Sequence, residues 1–194
     1  MMGGAMKPFF GRAFFVAALA VSPGAQADFQ DAVDAYNGGN FLYAFDEFRE
    51  LALNGDAAAQ YRLGLMYDKG EGVARDERQA VSWYIRAAGQ DDTRAQFAIA
   101  EMYSEGRGVQ RDDKQAARWY LEAAGHGFPK AQLTVGLMYA KGAGLPQDLV
   151  QAYKWLSLAG DIAAGSRQWV EDKMAPEQIR KARLLVQEWL AQHR

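Results

Sequence analysis

The sequence predicts an all-α solenoid of antiparallel helix pairs: about three full repeats, with divergent helices at either end. Three observations carry this. The chain aligns with itself, without a gap, at a shift of 36 residues over 56–91, 92–127 and 128–163. Within each segment the apolar residues recur at the three-and-four spacing of an amphipathic helix. Two glycines two positions apart (Gly70/Gly72, Gly106/Gly108, Gly142/Gly144) divide each segment into two such helices. A fixed period of this length is the mark of a stacked repeat array and changes how every motif within it is read.

The first 27 residues read as a secretory signal. Lys7 and Arg12 give a positive start, Ala13 to Val21 is a short apolar run, and Ser22, Pro23 and Gly24 end it. Ala25-Gln26-Ala27 then supplies small residues for a cut after Ala27. The run is too short to span a bilayer, which takes about 20 residues. No second apolar stretch follows, so the expected product has no membrane span and is periplasmic or secreted.

Residues 28–55 form a divergent opening pair. Phe29, Val33 and Tyr36 mark its first helix, Asn37-Gly38-Gly39 a turn, and Phe41, Ala44, Phe45, Phe48 and Leu51 its second.

In the repeats proper (56–163) the first helix carries Ala59, Leu63, Gly64, Met66 and Tyr67 on one face, with Asp56 and Asp92 at N-cap positions. A glycine in the left-handed conformation ends it, and the second glycine lets the chain turn back. The second helix opens on Asp76, with Gln79 three residues on. Asp112/Gln115 and Asp148/Gln151 repeat that reciprocal capping-box spacing. Its buried face is Ala80, Trp83, Tyr84, Ala87 and Ala88, with Gly89 and Gly125 at helix ends. The stripes Trp83/Trp119/Trp155 and Tyr67/Tyr103/Tyr139 recur at the repeat period, which marks them as core rather than as a stacking platform for a ligand. On that reading Trp119→Ala costs roughly 3–5 kcal/mol.

Residues 164–194 are expected to cap the array. Ile162 to Lys173 reads as a helix, and Pro176 opens a last one with Ile179, Leu184, Leu185, Val186, Trp189 and Leu190. Ala175 is a poor cap residue there. Terminal units of a solenoid differ from the rest because their outer faces meet water.

Composition excludes several functions. Formal net charge is −2, and loss of Lys7 and Arg12 with the signal makes it −4, with no clustered Lys and Arg for nucleic acid. There is no cysteine, hence no disulfide, thiolate metal site or cysteine nucleophile. The two histidines, His126 and His193, have no paired ligand at helical spacing, so no metal is expected. The G-x-G turns lack the third glycine and the preceding strand of a dinucleotide site. Neither a G-x-S-x-G elbow nor the S-x-x-K, S-D-N and K-T-G set is present. Asp91-Asp92 and Asp112-Asp113 fall at helix starts, where carboxylates favour the positive helix end. No catalytic residue and no cofactor is expected.

The pattern A-Q-x-x-x-G-x-M-Y-x-x-G-x-G-V-x-x-D-x-x-x-A-x-x-W-Y-x-x-A-A resembles the Sel-one-like repeat, a relative of the tetratricopeptide repeat. The tetratricopeptide period is 34 residues, which the longer G-x-G turn here exceeds. Ala100 stands where Gly64 and Gly136 would set a glycine, and Leu156 where Tyr84 and Tyr120 set an aromatic. The resemblance implies a right-handed superhelix whose concave side binds a protein or peptide, in a non-catalytic adaptor of the cell envelope, and the chain is expected to be a monomer. A cysteine-rich branch of that family is described as binding or hydrolysing β-lactams, which leaves a cell-wall or β-lactam enzyme as the alternative; this chain lacks that branch's cysteines.

By the tetratricopeptide analogy the groove is lined by positions of the first helix that vary between repeats. These are Tyr61, Leu65, Asp68 and Lys69, then Phe97, Glu101, Ser104 and Glu105, then Leu133, Leu137, Ala140 and Lys141. Their mix of apolar and charged groups suits an extended peptide or a partner helix. Tyr61 and Phe97 are also what a cell-wall glycan would stack on.

Overall fold

The structure, a computed structural model, describes residues 23–193, with side chains from residue 29 onward. The predicted signal up to residue 22 lies outside the described residues. Helices α1 (Pro23–Asn37) and α2 (Phe41–Leu53) form the opening pair, joined through Gly39. The predicted cut after Ala27 therefore falls within α1.

Three pairs follow: α3 (Ala57–Lys69) with α4 (Glu77–Ala88), α5 (Thr93–Glu105) with α6 (Asp113–Gly125), and α7 (Pro129–Lys141) with α8 (Leu149–Leu158). From α1 to α8 each helix packs on its neighbours in sequence, which is how a solenoid is built. The end differs slightly from expectation. Ile162 lies in a 3₁₀ turn, Gly160–Ala163, ahead of α9 (Ala164–Glu171), and α10 (Pro176–Gln192) then packs along α8. Among the described residues there is no strand, and no helix is long and apolar enough to cross a membrane.

The caps fit the sequence reading in one half only. The Asp76 carboxylate accepts from the Arg78 and Gln79 N–H groups, and Asp112 and Asp148 do the same in their repeats. The glutamine does not complete a box, because the Asp76 N–H already donates to the Tyr67 carbonyl at 3.0 Å. Asp112 to Tyr103 (2.9 Å) and Asp148 to Tyr139 (3.0 Å) repeat this bond, so the turn ties the start of the second helix to the end of the first. At Ala175 the opposite half is present: its N–H donates to Gln178 Oε1 at 2.9 Å, which is how α10 starts without a capping side chain.

The G-x-G turn serves two ends. Gly70 has φ 74° and closes α3. Gly72 has φ 73°, and a Cβ there would stand 2.3 Å from the Phe41 carbonyl oxygen, in the first residue of the preceding pair's second helix. Gly89 and Gly125, by contrast, are not left-handed; between repeats that conformation is taken by Gly55, Asp91 (φ 64°) and Gly127.

A buried glutamine joins successive repeats. Gln60 Nε2 donates to the Ala52 carbonyl (3.1 Å), Gln96 to Ala88 (3.4 Å) and Gln132 to Ala124 (3.2 Å). These are carbonyls of the last turn of the previous helix, which have no partner within that helix. The core is otherwise alanine and a few large groups. Ala80, Trp83, Tyr84, Ala87 and Ala88 are all buried, and Trp83 packs with Ala44, Phe48 and Leu63, so the tryptophan bridges repeats. Trp155 is buried as well, but Trp119 is only half-buried. Arg86 covers the Trp83 ring at 4.4 Å and Lys154 the Trp155 ring at 4.5 Å, whereas the second repeat places Glu122 where Arg86 would be.

Candidate functional site

The first helices of the pairs bury one face and leave the other to solvent. On α3, Tyr61, Leu65 and Asp68 lie one turn apart on the open side, and on α5 Phe97 and Glu101 do the same. Together they line a cleft of about 240 Å³. Arg94 and Ala98 of α5, Arg107 of its G-x-G turn, and Phe128 and Lys130 at the start of α7 complete its walls, with Tyr84 at its base.

The aromatic walls are held in place. Tyr61 packs on Tyr84 (centroids 5.8 Å apart), and Phe97 makes edge contacts with Tyr120 and Phe128, each at 5.3 Å. Burial pushes the Tyr84 hydroxyl far above the usual tyrosine range and that of Tyr120 up to about 12. Neither ionises near neutral pH.

Two cations of the cleft are compensated from within. Arg94 pairs with Asp92 at 2.5 Å and lies over the Tyr61 ring at 4.6 Å. Arg107 pairs with Asp68 and with Glu105, both at 2.6 Å, and its bond to Asp68 ties the second repeat to the first. Glu101 is different. Among the described residues neither a hydrogen bond nor an ion pair holds its half-buried carboxylate. Burial, more than the neighbouring Glu105, holds that carboxyl above the usual glutamate range, against the opposing charges of Arg107 and Lys130.

That shift has a stability consequence with a definite sign. A carboxyl whose folded-state pKa is raised binds its proton more tightly in the folded chain, so stability falls as pH rises through the interval between the unfolded and folded values. Glu101→Gln is expected to be more stable than the parent at neutral pH and equal to it in acid, below that interval. The difference is small, since the group stays partly solvated. Urea unfolding of both proteins from acid to neutral pH measures it.

The twelve expected groove positions divide. Tyr61, Leu65, Asp68, Phe97 and Glu101 meet in the cleft. Lys69 lies at the end of α3, where it donates to the Tyr36 hydroxyl at 3.3 Å and reaches Glu71 at 3.8 Å. Ser104 donates to the Glu101 carbonyl at 2.9 Å and faces a separate hollow with Tyr120, Thr134 and Met138. Glu105 serves Arg107. In the third repeat Leu133 and Leu137 are half-buried against the C-terminal core, and Lys141 is exposed.

Ala140 is a correction. It is 2 % exposed and sits in the cluster that holds Val150, Tyr153 and Leu156, so its methyl offers nothing to a partner. The third repeat reaches the cleft through Phe128 and Lys130 instead. One signal for the missed residues was present: Arg94 and Lys130 stand one repeat period apart, both basic, in the first turn of their helices.

His126 Nδ1 pairs with the Gln96 side chain at 3.1 Å, and His193 stacks on Trp189. Among the described residues no three or more His, Asp or Glu side chains are grouped to hold a metal ion.

A family model described as Sel1 repeat matches the sequence three times, at residues 57–92, 93–128 and 129–161. Solved structures similar to the chain include two of the same repeat type. One is a Sel1 repeat protein from Oxalobacter formigenes, 28% identical with TM-score 0.69 over 71% of this chain and 58% of that one. The other is c5321, a protective antigen of uropathogenic Escherichia coli strains displaying an SLR fold, 29% identical with TM-score 0.52 over 86% of this chain and 45% of that one. The chain thus spans 58% and 45% of the lengths of these two structures. No curated protein matches it.

Proposed function

The chain belongs to the Sel1 repeat family, and from that premise we propose that it is an exported, non-catalytic adaptor that binds a protein or peptide in the cell envelope. Members of the family are in general helical scaffolds for protein interaction. The partner segment lies across α3 and α5, over the cleft that gathers Tyr61, Leu65 and Phe97 between charged groups. That cleft is the observation that carries the reading: aromatic anchors in a partly desolvated pocket with a charged rim are what hot spots of an interface are made of. Export rests on the signal-like opening of the sequence, and its product begins at Asp28.

The test is affinity capture of tagged, cross-linked protein from the envelope fraction, followed by mass spectrometry. One dominant partner is expected, depleted at least about tenfold in a Tyr61→Ala/Leu65→Ala/Phe97→Ala variant. Because Tyr61 and Phe97 also support their own repeats, Leu65→Lys serves as a second variant that leaves those rings in place. Capture unchanged in both variants rejects the groove. Recovery of the protein only from the cytoplasm, with residues 1–27 still attached, rejects export.

A further inference from the structure

We infer that the cleft between α3 and α5 takes a basic side chain, lysine or arginine, from an extended segment of the partner, with Glu101 as its counter-ion. This rests on the cleft being the partner site and names what that site reads.

The charges decide the sign. Arg94 and Arg107 each have a carboxylate within hydrogen-bond distance, and Arg94 has an aromatic face as well. An acidic ligand would have to compete with those contacts. Lys130 is exposed, so its ammonium is already satisfied by water. Of the charged groups that line the cleft, Glu101 alone is both half-buried and without a bonded partner among the described residues. A ligand cation beside it replaces hydration that burial has already removed, and charge-assisted bonds of this kind are the strong ones.

Shape agrees with charge. Phe97 precedes Glu101 by one turn on α5, and Tyr61 and Leu65 face them from α3. A lysine or arginine stem is a chain of methylenes that packs on such rings while its head reaches the carboxylate. The cleft volume of about 240 Å³ accommodates one long side chain. An extended segment that inserts one residue fits this space.

The probes are three synthetic peptides, acetyl-Ala-Leu-X-Leu-Ala-amide with X lysine, norleucine or glutamate, titrated into the purified protein by NMR. The lysine peptide is expected to bind about tenfold tighter than the norleucine peptide, with shifts centred on Phe97 and Glu101. That preference should disappear in Glu101→Gln and weaken with added salt. A preference that survives Glu101→Gln, or equal or tighter binding of the norleucine or glutamate peptide, overturns the inference. So does the absence of binding by all three. Envelope capture in the Leu65→Lys variant judges the groove separately, so a lost partner there with no lysine preference here sinks the counter-ion and leaves the adaptor standing.

Discussion

Tyr84→Ala is expected to destabilise the protein by about 3–5 kcal/mol, a fall of about 10 °C in Tm for a domain of this size. Tyr84 is 1 % exposed, and its ring lies on Gly64 so closely that a Cβ added there would come within 2.8 Å of it. Truncation thus opens a hole beneath a backbone that has no side chain to lean in and fill it. The cavity persists, and it is the persistent part of a cavity that sets the cost. Tyr84→Phe keeps the ring and is expected to cost no more than about 1.5 kcal/mol. Thermal unfolding of the two variants separates volume from hydroxyl. Trp119→Ala, which the repeat pattern alone would rank with them, should cost less than Tyr84→Ala. Its ring is half-buried, and among the described residues no cation covers it as Arg86 covers Trp83 and Lys154 covers Trp155.

The ranking shows what periodicity reveals and what it hides. Recurrence at 36 residues identifies the helix pairs, the caps at Asp76, Asp112 and Asp148, and the left-handed glycines, because each is a local requirement repeated three times. It does not show what each repeated residue touches in the next repeat. The glutamines Gln60, Gln96 and Gln132 are plain in the alignment, but their task, bonding a carbonyl eight residues earlier in another helix, needs the stacking to be known. The capping box fails for a similar reason: the N–H it would use is taken by Tyr67, from the far side of the turn.

The cleft was legible in part. A helix face read by analogy brings Tyr61, Leu65, Asp68, Phe97 and Glu101 together, since one face of one helix is fixed by spacing. Arg107 and Phe128 enter from a turn and a helix start, where spacing fixes no direction. Ala140 is lost from the groove because the last repeat has no full pair after it. The capping helices close over that end, and Leu133 and Leu137 pack towards them.

Gly108→Ala is expected to destabilise by about 3 kcal/mol or more, and to do so between repeats rather than within one. Two costs combine. Gly108 has φ 66°, where an alanine is strained by about 1–3 kcal/mol. Its new Cβ would also stand 2.4 Å from the Glu77 carbonyl oxygen, and overpacking of that kind adds about 1–3 kcal/mol. That oxygen cannot move away freely, because Glu77 opens α4 and the turn around it is held by the Asp76 cap. Gly39→Ala supplies the control: its φ is 80° but nothing lies within 4 Å of the added Cβ, so it reports the strain alone. The excess of Gly108→Ala over Gly39→Ala, measured by urea unfolding, is the contact between the first and second repeats. Stability in a solenoid is close to a sum of repeat terms and nearest-neighbour terms. A variant that weakens one such contact should therefore broaden the unfolding transition, and hydrogen exchange should quicken at the α4–α5 junction. The cleft spans that junction, with Asp68 on one side and Arg107 on the other. Gly108→Ala should then weaken partner capture although no cleft side chain has changed, and Gly39→Ala should not.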